Sequence, residues 1–157
     1  MELMKKKILT LLEAQKKMEH YCAYQERCHK EVVKKLQELG MIHISIDAIV
    51  SKLVEDNYLN ETRFARSYAR GKFRIKKWGK IRIRRELKAR HISDYNIKKG
   101  LEEIPDLDYN TTFWTLFEKR KKEVNESIPS VQKKKIISYM VYRGWELEKI
   151  YEAMEQI

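Results

Sequence analysis

The sequence predicts an all-α protein made of three tandem three-helix repeats forming an elongated, curved array. Three observations lead there: a composition suited to helix, an apolar stripe that recurs at a fixed spacing, and stop and start signals between the copies. Charged residues make up 36% of the 157 positions, with only five Gly and two Pro. The abundant Lys, Glu, Leu, Ile and Arg lose little side-chain freedom in a helix. The stripe reads Val32-xxx-Leu36-xxx-Gly40-Met41, then Ile83-xxx-Leu87-xxx-His91-Ile92, then Ile136-xxx-Met140-xxx-Gly144-Trp145. Leu36, Leu87 and Met140 lie 51 and 53 residues apart, in the range of a repeated helical unit.

Each copy continues into a second apolar pair at i, i+4: Ile49 and Leu53, Ile97 and Leu101, Ile150 and Met154. Such pairs share one helix face. Gly40 and Gly144 suit the left-handed residue that closes a helix, while Asn60, Ser93, Asp108 and Ser130 are candidates to cap the next one. The predicted helices run at about 3–19, 25–39, 45–56, 60–75, 78–90, 93–103, 108–125, 130–143 and 146–156. They divide the chain into repeats at 1–57, 58–104 and 105–157. A single helix of this length is marginal alone, so each repeat must bury its stripe against its own partners or its neighbours.

The formal net charge is +11, which favours a polyanionic partner through counterion release. Residues 70–90 hold eleven basic side chains and one acid, Glu86, and so carry +10 of that charge. On the predicted helix 60–75, Phe64, Ala65, Tyr68, Ala69 and Phe73 form a core side. Arg63, Arg66 and Arg70 line another side, either as a solvated face or as a binding surface. On the following helix Ile83 and Leu87 make a narrow apolar stripe, and Arg82, Arg84, Arg85 and Lys88 span the opposite arc. With Lys72, Arg74, Lys76, Lys77 and Lys80, these residues are the candidate binding set. Phe73 and Trp78 lie among the charges, where they either pack or stack on bases.

No run of 18 apolar residues is present, and no apolar secretory core stands at the N-terminus, so a cytoplasmic protein with no membrane partner is expected. Cys22 and Cys28 are too few for a disulfide framework. His20, Cys22, Cys28 and His29 lack the paired spacing of zinc folds. Asp106 and Asp108 beside Pro105 suit a turn and a helix start better than a nuclease metal site. There is no phosphate-binding glycine loop, H-E-x-x-H or nucleophile motif, so neither catalysis nor a cofactor or metal is expected.

Tyr58-Leu59-Asn60-Glu61-x-Arg63-Phe64-Ala65-x-x-Tyr68 resembles the "GYLDDxRFAxxY" signature of the RecX family. Gly79-x-x-x-Ile83-x-x-Glu86-Leu87 is similar to the basic "G…I..EL" helix that follows it there. Asn57 stands where that family has Gly, Asn60 where it has Asp, and His91 where Gly ends the helix, which leaves the turn at His91 to be tested. The first repeat is more distant, keeping Arg27 and Glu31 of an "RxRSxxEL" segment, and the third matches in helical pattern alone. The resemblance implies a tandem three-helix-repeat protein that binds filaments of the recombinase RecA, limits strand exchange and the associated ATP hydrolysis, and has affinity for DNA. The expectation is thus a non-catalytic, monomeric regulator of RecA-type filaments that also binds single- and double-stranded DNA. A helix-turn-helix DNA-binding regulator is the alternative, because three-helix units with basic second helices also suit a major groove.

Overall fold

In the computed structural model, which describes residues 9–156, every regular element is helical. The order is α1 (Leu11–Tyr24), α2 (His29–Glu38), α3 (His43–Glu55), α4 (Glu61–Lys76), α5 (Lys80–Ala89), α6 (Asp94–Leu101), α7 (Asp106–Glu123), α8 (Pro129–Tyr142) and α9 (Leu147–Glu155). These nine helices of the described residues form a repeat array of three trios, as the recurring stripe predicts.

The stripe itself is the core. Val32, Leu36, Ile83, Leu87, Ile136 and Met140 are all buried, as are the second pairs Ile49 and Leu53, Ile97 and Leu101, Ile150 and Met154. The turn after each central helix closes by the same bond: Met41 N–H donates to Leu36 O, Ile92 N–H to Leu87 O, and Trp145 N–H to Met140 O, at 3.0, 3.1 and 3.1 Å. This 6→1 closure needs a left-handed residue just before the donor. Gly40 and Gly144 supply it at φ 81° and 93°, and His91 adopts it at φ 59°. The missing glycine therefore leaves the turn geometry intact, at a backbone cost of about 1 kcal/mol for a residue with a Cβ. Asn57 and Lys77 make the same excursion, at φ 62° and 59°, after α3 and α4.

Helix starts differ from the sequence reading in several places. Asn60 and Ser93 cap as predicted, accepting from Arg63 N at 2.9 Å and Asn96 N at 3.2 Å. Asp108 does not cap α7: Pro105 occupies that position and Asp108 lies in the first turn, where its charge faces the positive end of the helix. Ser130 does not cap α8, because Pro129, with φ already fixed near the helical value, takes the first helical position and moves the start back to Ile128. Of the predicted first helix, residues 3–8 lie outside the described residues. Thr10 caps α1, and the i, i+4 series Ala14, Met18 and Cys22, all buried, carries it on to Tyr24.

The buried residues form two clusters. One joins α1, α2 and α3 around Met18, Leu36 and Leu53 and closes with Leu59. The other joins the second and third trios and takes in Cys28 from the start of α2. Two close backbone approaches make the larger cluster possible. A Cβ on Gly100 would stand 2.7 Å from Ala65 O where α6 crosses α4, and one on Gly79 would overlap Gly144 O.

Gly79 has an ordinary φ of −75°, so Gly79→Ala tests that approach without backbone strain. It should cost about 1–3 kcal/mol from overpacking. Gly71→Ala, within α4 with nothing inside 4 Å of the new Cβ, should gain about 0.5–1 kcal/mol. Urea unfolding of the two variants checks both signs.

Candidate nucleic-acid interface on helices α4 and α5

The turn between the two basic helices is gripped by the third trio. No side chain caps α5 at Gly79, yet its first amides are satisfied: Gly79 N–H donates to Arg143 O at 2.8 Å and Ile81 N–H to Gly144 O at 3.1 Å. Lys80 N–H donates to the Tyr109 hydroxyl at 3.0 Å, which in turn donates to the Glu146 carboxylate at 2.7 Å. Burial and the neighbouring carboxylate hold the Tyr109 phenol protonated far above its usual range. The end of α4 is held in the same way, since Arg143 donates to Lys76 O at 3.1 Å and the Trp145 indole to Lys77 O at 3.2 Å.

On the other flank α4 is tied to the first trio. Arg63 pairs with Glu26 at 2.5 Å and donates to the carbonyls of Asn57 and Tyr58 at 2.9 and 3.3 Å. Lys30 donates to Ala89 O at 2.8 Å, and His29 meets Glu61 at 3.1 Å. Burial raises the Glu61 carboxyl, with His29 and then His91 acting in the opposite direction.

Within this frame the twelve predicted site residues fall into three groups. Arg63, Arg66 and Arg70 hold structural ties, the latter two both reaching Glu103 at 3.5 and 3.4 Å. Lys72, Lys80, Arg82 and Lys88 are partly engaged. Lys72 lies over the Tyr68 and Trp78 rings, and Arg82 lies 4.1 Å from the Trp78 centroid and 4.8 Å from that of Tyr142. Lys80 meets Asp106 at 3.9 Å and Lys88 meets Asp94 at 3.7 Å. Arg74, Lys76, Lys77, Arg84 and Arg85 are exposed and pair with no acid among the described residues.

Of the two aromatics among these charges, Phe73 is buried and Trp78 is half-buried under cations. Both are packing residues first. Tyr68 is likewise half-buried rather than core, with Arg90 over its ring at 4.9 Å. Sequence reasoning missed Lys98, which joins Lys80, Arg84 and Lys88 along a groove of about 810 Å³ between α5 and α6. Lys98 stands at i, i+3 from Leu101 and so borders the apolar face of α6, a position that carries no signal of its own in the sequence. Cys22 and Cys28 are free thiols buried in different clusters, and burial pushes each up to about 11. Among the described residues no three His, Cys, Asp or Glu side chains are grouped to hold a metal, and no helix is long and apolar enough to cross a membrane.

The segment bearing the signature and the basic helix, residues 60–101, matches the family model described as RecX, second three-helix domain. The resemblance to the RecX family is confirmed. The Regulatory protein RecX of Bacillus mycoides strain KBAB4 is 28% identical over 137 residues, 87% of this chain and 51% of its own length, and that of Bacillus cytotoxicus is 26% identical over the same span. The chain thus spans about half the length of the curated relatives it matches. In fold it is similar to a crystal structure of regulatory protein RecX, with TM-score 0.83 and 21% identity over 94% of this chain and 73% of that one. It is also similar to RecX from Lactobacillus salivarius, with TM-score 0.77 and 23% identity over 94% and 97%. The RecX relatives are named as regulatory proteins.

Structural and unpaired arginines should separate by stability. Arg63→Ala removes a charged donor from two carbonyls and a carboxylate and should cost about 1–3 kcal/mol, whereas Arg85→Ala should change stability by less than about 0.5 kcal/mol. Guanidinium melts of the two variants test the division.

Proposed function

We propose that this RecX-like chain is a non-catalytic regulator that binds RecA-type recombinase filaments together with their DNA and restrains recombinase activity. In this reading it acts in the cytoplasm as a monomer. The observation that carries the proposal is the set of unpaired cations on α4 and α5, held on a fold shared with RecX structures. Like charges kept close together without acids destabilise a fold through self-repulsion, and a polyanion removes that cost. Backbone phosphates fit such a surface because they ask for charge rather than base-specific geometry.

The repeats at 1–57, 58–104 and 105–157 act as linked contact modules in this proposal. Several weak contacts on one chain raise the effective concentration of each. The reading accordingly requires the trios to be joined.

Replacing Arg74, Arg84 and Arg85 by Ala should weaken DNA binding and flatten the log–log salt dependence by about 2–3, with the fold retained. In titrations of preformed recombinase filaments at fixed salt, the parent should suppress strand exchange below the concentration that coats free DNA. Inhibition only at saturation of the bare DNA would reduce the activity to competition and overturn the filament reading.

A further inference from the structure

The third trio is neutral overall but its charge is segregated. Between 118 and 135 there are seven basic and three acidic residues, whereas the rest of 105–157 has two basic and six acidic. Folding brings the two halves of the basic stretch together, because α7 ends and α8 begins at the same tip. Lys121 and Lys133 line one small cleft of about 100 Å³ with Pro129, Gln132 and Ile136.

The acids at this tip neutralise only some of the cations. Glu123 takes Lys119 and Arg120, both at 3.9 Å, and Glu126 takes Lys135 at 3.4 Å. Lys121, Lys122, Lys133 and Lys134 pair with no acid among the described residues. Helix electrostatics accounts for the first two, since Arg120, Lys121 and Lys122 sit in the last turn of α7 at its negative end. It does not account for the others: α8 has no acid in its first turn and no side-chain cap, yet Lys133, Lys134 and Lys135 follow directly. Positive charge there adds to the repulsion from the lysines across the tip.

We propose that the tip formed by Lys121, Lys122, Lys133 and Lys134 is a second contact for the phosphate backbone of nucleic acid, separate from the α4–α5 surface. The proposal rests on the functional reading that nucleic acid is a partner. Tyr142, stacked against Arg82 of α5, and Lys133 are nine residues apart on α8, about 14 Å along its axis. That is about four phosphates along one strand of a duplex at 3.4 Å per step, and fewer along an extended single strand. One strand can therefore reach from the neighbourhood of α5 to the tip, and the chain holds it at two points.

The test measures the salt dependence of binding of the 157-residue chain to a labelled 20-nucleotide oligothymidine. The variant Lys121→Ala/Lys122→Ala/Lys133→Ala/Lys134→Ala should lose affinity and flatten the slope by about 1.5–3, at roughly 0.7 for each phosphate of a single strand that is no longer neutralised. Lys133→Glu/Lys134→Glu should bind more weakly while melting no lower than the parent, because the new acids face Lys121 and Lys122 across the tip and replace repulsion with attraction. A merely structural role would lower the melting temperature instead. Parent-like affinity and slope in the quadruple variant, with weakened binding in Arg84→Ala/Arg85→Ala, would overturn this inference and leave the α4–α5 reading standing. Weakened binding in the quadruple variant alone would support the tip and remove the α4–α5 surface. A parent with no salt-dependent binding would remove both.

Discussion

The constraint on which the basic surface depends is the seating of the α5 N-terminus against the α8–α9 turn. A helix start leaves several amides without intrahelical partners, and here the partners are two carbonyls and a phenol from the third trio. Each such amide left buried and unpaired would cost about 1–3 kcal/mol, so three together rival the 5–15 kcal/mol net stability of an ordinary domain. The bonds form only because neither Gly79 nor Gly144 carries a Cβ. The glycine that opens α5 and the glycine that closes α8 are thus two halves of one joint.

The cations around α4 and α5 divide by chemistry. Arginine dominates where a planar fork meets a carboxylate, a carbonyl or a ring, as at Arg63, Arg66, Arg70 and Arg82. Lysines and arginines on the outer turns, such as Arg74, Lys77, Arg84 and Arg85, stay hydrated. One run of basic sequence therefore serves two purposes: the inward residues fix where α4 and α5 lie, and the outward ones make the field those helices present.

Much of the architecture was legible because it repeats. A stripe recurring at 51 and 53 residues located the central helix of each trio, and the three equivalent turns follow from it even where His91 replaces glycine. The small polar residues Asn60 and Ser93 announced their caps, while prolines displaced Asp108 and Ser130. The pairing of individual arginines was not legible, since Glu26 and Glu103 lie 37 and 33 residues from Arg63 and Arg70. Nor was the fusion of two trios around one core, because amphipathic periodicity says which face is buried but not against what. The groove with Lys98 was hidden for the same reason: it exists only after α5 and α6 have crossed.

The two cores also set a timetable for a chain emerging residue by residue during synthesis, where structure tends to form from the N-terminal end. The first cluster is complete once Leu59 has appeared, so α1–α3 can close early. The phenol partner of the α5 amides arrives with Tyr109, but the two carbonyl partners arrive only with Arg143 and Gly144, more than sixty residues after Gly79. Through that interval this strongly basic helix has an unfinished end, so its final anchoring coincides with the arrival of the last helix.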